Sequence, residues 1–213
     1  MVSQDNLMHN LDAIYRCFGH RPSSKGMIWL PPYHDMGLIG GVLHAPYGGG
    51  CVVIMSPVAF LQKPLRWLQA IARYQAVTSG GPNFAYDLCV QAANPEDLAA
   101  LDLSTWSLAF TGAEPVRPET LSRFSQAFAP CGFQNRAFYP CYGMAETTLL
   151  VTGGNRATDP VLYSVDRKAL ARNQIVESAV SLETPQADKQ AGRQGSEQAV
   201  DQNVVDQKAE QKI

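Results

Sequence analysis

The chain has 213 residues, 46% of them apolar and 17% charged, an ordinary globular mixture long enough to bury a core without disulfide staples. A formal charge of −2 leaves no electrostatic footprint for nucleic acid or an anionic membrane. Five cysteines with no CxxC pair suggest neither a disulfide framework nor a zinc knuckle, no apolar run reaches the ~18 residues of a membrane span, and the amino-terminal stretch is not a signal peptide, so the expected setting is cytoplasmic.

Taken in chain order, Ser3 can cap a helix whose apolar positions Leu7, Leu11, Ile14 and Phe18 recur at helical spacing, with Gly19 to stop it. MIWL (27–30), closed by Pro31-Pro32, reads as a buried strand feeding a loop. DMGLIGGVLHAPY (35–47) reads as a helix of small residues and CVVIM (51–55) as a second strand. A helix begun by proline covers 64–74. AVTS (76–79) is a third strand, 83–93 a further helix, SLAF (107–110) a fourth strand and 118–128 another proline-led helix. AFYPCYG (137–143) ends in a loop, and 166–173 gives a last short helix. The alternation of helices with wholly apolar strands predicts an α/β fold, a parallel sheet with helices on both faces. From 179 to 213 the chain is polar, with glutamine recurring once per helical turn; a polar helix is one reading, and the lack of an apolar stripe to dock it favours a disordered tail.

In a parallel sheet ligands lie at the carboxyl ends of the strands, so the loops that follow the apolar runs carry the interest. In TGAEP (111–115), Gly112 and Ala113 would let a flat ring approach the backbone; a plain strand-to-helix turn is the alternative. In YGMAE (142–146), Tyr142 offers a stacking face. Glu146 is a hard oxygen ligand of the kind Mg²⁺ takes, or else a carboxylate in a helix's first turn that favours its dipole. His34 beside Asp35 suggests a histidine that lines or gates a pocket rather than a metal ligand, because neighbouring side chains diverge and no second His-Asp cluster completes a shell. YGGGC (47–51) lacks the GK[ST] ending of a phosphate loop, and SGGPN (79–83) lacks the spacing of a hydrolase elbow. The glycines of SGGPN make room for something that passes close to the backbone.

The order and wording of these segments carry more than any one of them. WLPPYHDMGLIGG, SGGPNFAYDLC, FTGAEPV and FYPCYGMAETTL together resemble the adenylate-forming superfamily, and within it the fatty acyl-AMP ligases, over about 1–173. The resemblance implies part of the large N-terminal domain of such a ligase, at 1–178. It implies a fatty acid activated by ATP, with Mg²⁺, to acyl-AMP, and an acyl group passed to the phosphopantetheine thiol of an acyl carrier protein. Coenzyme A as acceptor and a non-catalytic fragment or scaffold are the alternatives. By similarity Gly112, Ala113, Glu114 and Pro115 would hold adenine with Tyr142, Gly143 and Met144, and Glu146 would hold the metal. His34 would border the reacting groups. Met36, Gly41, Gly80, Gly81 and Phe84 would line the acyl pocket. Ala145 stands where many superfamily members carry threonine, a departure shared with the fatty acyl-AMP branch. The resemblance also implies a phosphate loop ahead of Met1 and a lysine-bearing small domain beyond Asn173. The remainder of the ligase would then be a partner, the chain alone would be inactive, and exposed sheet edges would make it poorly soluble.

Overall fold

The computed structural model describes residues 1–156 and 158–178, and the glutamine-rich stretch at 179–213 lies outside them. The chain divides into two compact units, Met1–Leu162 and Tyr163–Ile213.

The first unit is built on a six-stranded sheet in the order β2-β1-β3-β4-β5-β6, flanked by helices. Its strands are β1 (Lys25–Ile28), β2 (Cys51–Ile54), β3 (Thr78–Gly80), β4 (Leu108–Thr111), β5 (Phe138–Gly143) and β6 (Leu150–Gly153). The first five run parallel, and β6 returns antiparallel beside β5. β3 and β4 are buried at every position, which is why they read as unbroken apolar or small-residue runs.

Around the sheet lie α1 (Gln4–Cys17), α2 (Asp35–Gly37), α3 (His44–Tyr47), α4 (Pro57–Gln62), α5 (Leu65–Tyr74), α6 (Asn83–Ala92), α7 (Pro95–Ala99) and α8 (Pro118–Phe128). Ser3 caps α1 as expected, in a reciprocal box with Asn6. Trp67, Tyr86, Trp106, Phe124 and Phe138 form a fully buried aromatic core. Their polar atoms are satisfied inside it. Trp67 Nε1 donates to Ser79 Oγ at 2.7 Å, and Tyr86 Oη donates to the Phe110 carbonyl at 2.8 Å.

Several local readings shift. The segment at 35–47 is helical throughout, but its middle, Leu38–Leu43, is a π turn. Gly40 and Gly41 sit in that widened turn, and at Gly41 an added Cβ would press on the Ile28 side chain at 3.0 Å. Strand β1 lies two residues ahead of the expected run, because Trp29 and Leu30 are buried as loop residues rather than as strand, and β3 starts two residues later and ends one residue later than expected. FYPCYG is strand to its end at Gly143 rather than a loop. Helices α4 and α7, too short for a periodicity to develop, and strand β6 were not expected.

In the second unit a single turn of helix, α9 (Arg167–Leu170), replaces the longer helix expected at 166–173. Asp166 caps it by accepting from Ala169 N–H at 2.7 Å, and Val165 bridges Glu177 antiparallel.

Candidate functional site

The carboxyl end of β4 runs into the turn at 112–117. Gly112 is buried against β5, and a Cβ there would stand 2.6 Å from the Cys141 carbonyl oxygen, so only glycine fits. Ala113 follows in the left-handed region with φ +67°, a conformation an L-residue keeps only where its surroundings impose it. Those surroundings include α6. The residue before α6 is Pro82, which supplies no side-chain cap. Glu114 supplies it instead, its Oε1 accepting from Asn83 N–H at 2.8 Å. Asn83 answers by donating from Nδ2 to the Pro115 carbonyl at 2.9 Å and by accepting from Arg117 N–H at 2.9 Å. The side chain of Glu114 is therefore committed to α6, and Ala113, with only a methyl group, leaves the backbone of the turn open to approach.

β5 ends beside it. Tyr142 opposes Thr152 of β6 and is 54% exposed, its ring free to meet a ligand. The register slips between Tyr142 and Gly143, and the chain turns through a 3-10 turn, Ala145–Thr147, before β6 begins. Met144 N–H closes this loop onto the Leu149 carbonyl at 3.0 Å. A Cβ at Gly143 would overlap the same carbonyl, which accounts for the glycine. Glu146 projects from the 3-10 turn, exposed, not from the first turn of an α-helix. Among the described residues its carboxylate makes no hydrogen bond and no ion pair.

His34 approaches across from the loop after β1. The expectation that its ring would diverge from Asp35 is corrected. The backbone passes from extended at His34 (φ −105°, ψ 142°) into helix at Asp35, so strand alternation does not apply, and His34 Nδ1 lies 2.7 Å from Asp35 Oδ1. The same oxygen accepts from Met36 N–H at 2.6 Å.

These segments meet at a cavity of about 300 Å³, at the lower end of ligand-pocket sizes. His34, Met36, Ala113, Tyr142, Gly143, Met144 and Glu146 all line it. Its apolar lining comes from Ile14 on α1 and Phe18 just past it, Phe110 in β4, Leu149 just ahead of β6 and Leu150 at its start. Reasoning from sequence missed these five. Ile14 and Phe18 share one helical face, a signal that was present, whereas Leu149 and Leu150 become visible only once β6 is known. Cys141 also lines the cavity. Burial pushes its thiol up to about 11, so it stays protonated at neutral pH and is no nucleophile.

The remaining candidates lie elsewhere. Gly112, Glu114 and Pro115 support the wall from behind. Gly80 packs on Phe110 and Gly81 on the Trp29 ring, so the close neighbour that this pair of glycines admits is the protein itself. Phe84 is half exposed, edge-on to Trp29 at 6.0 Å. Gly41 borders a small cavity of about 40 Å³ with His20, His44 and Thr78. Beyond Tyr142 opens a third cavity, about 400 Å³, lined by Val116, Pro140, Gly153 and Asp159; Tyr142 and Cys141 belong to both large cavities. No cluster of three or more His, Cys, Asp or Glu among the described residues could hold a metal unaided. A lone free carboxylate such as Glu146 suits Mg²⁺, which keeps several waters and takes further oxygens from a phosphorylated ligand. No helix among the described residues is long and apolar enough to cross a membrane.

A mostly parallel α/β sheet with an open, mixed polar and apolar crevice at the carboxyl ends of its strands defines a small-molecule-binding class. The model of the AMP-binding enzyme family matches residues 1–189, and the chain belongs to that family. It is 44% identical over 179 residues to a medium-chain fatty acid–acyl-carrier-protein ligase of Teredinibacter turnerae, covering 84% of this chain and 28% of that protein. It is 39% identical over 178 residues to a probable long-chain fatty acid–AMP ligase of Mycobacterium tuberculosis, covering 81% and 30%. Among solved structures, a fatty acyl-adenylate ligase from L. pneumophila in complex with acyl adenylate and pyrophosphate superposes with a TM-score of 0.77 at 51% identity, over 78% of this chain and 30% of that one. A structure from work on fatty acyl-adenylate ligases of E. coli and L. pneumophila gives 0.81 at 36% identity, over 86% and 34%. The chain thus spans about three tenths of the length of the curated relatives it matches.

Proposed function

We propose that residues 1–178 form the adenylate-facing part of a fatty acyl-AMP ligase, which joins a fatty acid to AMP from ATP and passes the acyl group to the phosphopantetheine thiol of an acyl carrier protein. The observation that carries this reading is the convergence of Tyr142, Ala113, Glu146 and His34 on one cavity whose other walls are apolar. In the reaction a carboxylate oxygen attacks the α-phosphorus while the bond to the departing pyrophosphate breaks. Such a displacement needs positioning and charge neutralisation rather than covalent help. The exposed Ala113 backbone and the Tyr142 ring would hold adenine between a flat peptide and an aromatic face. Ile14, Phe18, Met36, Phe110, Leu149 and Leu150 would keep water from the acyl end. Glu146 would hold Mg²⁺, which supplies positive charge against the phosphate oxygens when bound. His34, steadied by Asp35, borders the place where acyl carboxylate and phosphate would meet.

Among the described residues the lining of the cavity contains no lysine or arginine. Pyrophosphate leaving from it would find no fixed cation, so the 213-residue polypeptide by itself should bind the adenylate but not make it. Calorimetric titration with a non-hydrolysable acyl-sulfamoyl adenosine tests the first half. Stacking of a base on an aromatic ring is worth ~1–3 kcal/mol, so Tyr142→Ala should weaken binding roughly 5- to 150-fold. Absence of binding, or equal binding by the variant, would remove the nucleotide reading. Incubation with ATP, Mg²⁺ and a fatty acid tests the second half. Pyrophosphate release should not exceed that of the Glu146→Ala variant.

A further inference from the structure

Asn83 has neighbours that the reaction does not explain. It is 1% exposed and makes hydrogen bonds with three different residues of the β4–α8 turn: its backbone N–H to Glu114, its Nδ2 to Pro115 and its Oδ1 from Arg117. These lock the first residue of α6 to both sides of a turn whose Ala113 is held at φ +67°. The same helix is tied to the strand that feeds the turn, through Tyr86 Oη and Gly81 N–H, which both donate to the Phe110 carbonyl at 2.8 Å and 3.1 Å. From the opposite side, Gly112 rests on the Cys141 carbonyl. The turn is therefore gripped twice, by β5 and by α6, and Asn83 is the grip on the α6 side.

We infer that Asn83 is a positioning residue for the nucleotide: touching no part of the cavity itself, it sets the backbone of 113–115 in the geometry against which adenine lies, with Glu114 as its counterpart. The inference rests on the adenylate reading above. An amide is the side chain this position requires. One end must donate to a carbonyl and the other must accept from an N–H, and the site is too dry for water to substitute. The grip is separable from the rest of the fold. α6 and α8 are held together further along by Thr120 Oγ1 donating to Asp87 at 3.0 Å and by the Arg123–Asp87 ion pair at 2.8 Å. Position 83 can therefore be altered while those links remain.

Asn83→Asp is the informative change. At neutral pH the introduced carboxylate can still accept from Arg117 N–H, but it faces the Pro115 carbonyl with no proton to give. When protonated it regains a donor. The ionisable groups around it are Glu114 and Arg117 on the turn and Asp87 one helical turn along. The measurement is the dissociation constant of AMP for the full chain, wild type against variant, from pH 7.5 down to 5, with thermal melting to follow the fold. At pH 7.5 the variant should bind AMP at least 10-fold more weakly than wild type, and the ratio should narrow as pH falls. A purely structural role would lower the melting temperature and leave the affinity of the folded protein, and its pH profile, unchanged. If Asn83→Asp does not fold, Glu114→Ala cuts the same grip from its half-buried end and should weaken AMP binding about 3- to 10-fold. Folded variants that match wild type within twofold overturn the inference. If the unaltered chain does not bind AMP, the adenylate reading falls, and this inference falls with it.

Discussion

His44 and His20 form a pair that the proposed chemistry does not use. Their rings lie 4.8 Å apart between α3 and the sheet, with Tyr15 beside them and His20 Nε2 bonded to Thr78 Oγ1 at 2.6 Å. His44 is 5% exposed, and its Nε2 has no hydrogen-bond partner among the described residues. Burial lowers both from the usual 6.5 to about 4, and for His20 the neighbouring His44 and Arg156 add to it. A base whose folded pKa lies below its unfolded value is most stabilising when neutral. The contribution is therefore complete above about pH 6.5 and is lost as pH falls towards 4. For His44 the full effect is about 3 kcal/mol at most. The melting temperature should drop between pH 6.5 and 4, and His44→Leu should flatten that slope. At the other end of the site Gly112 leaves no such latitude. Gly112→Ala would drive a Cβ against the Cys141 carbonyl oxygen, a backbone atom that cannot swing aside as a side chain would. About 1–3 kcal/mol of stability should be lost in denaturant titration, as in other overpacked sites.

Helix α1 and strand β6 meet through one side chain. Asn10, buried on α1, donates from Nδ2 to the Leu150 carbonyl and accepts from Leu150 N–H, both at 2.9 Å, so its amide completes the ladder as a neighbouring strand would. Asn10→Ala would strand both backbone groups. A cost of about 1–3 kcal/mol is expected in chemical denaturation, and the effect should reach the cavity through Ile14 and Leu150. The sequence announced α1 through its cap and its apolar spacing, and four of the five parallel strands through runs with no polar alternation, two of them with shifted bounds. It could not announce β6. LVTG is short and mostly exposed, and it is a strand because β5 and Asn10 present partners to it. The π turn at Leu38–Leu43 was equally hidden, since its apolar pattern also suits an ordinary helix. Of the candidate site, the loops after β4 and β5 stood out because they follow apolar runs and carry glycines, while the roles of their residues came from the family resemblance. The apolar lining was not legible, because it is assembled from elements far apart in the chain.

For the molecule as a whole, the outer edge of the sheet is β2. Ile54 at its end and Val58 and Leu61 on α4 are all exposed, giving apolar surface beside a strand that pairs with β1 on one side and, among the described residues, with no strand on the other. Such an edge favours association between copies. Light scattering should rise with protein concentration, and Ile54→Lys with Val58→Lys should suppress it without moving the melting temperature by more than a few degrees. A different consequence follows from Tyr142. Tyr142, with Cys141, lines two cavities of about 300 and 400 Å³. An occupant of one cavity that shifts the Tyr142 ring would change the affinity of the other cavity, and the effect would be equal in both directions.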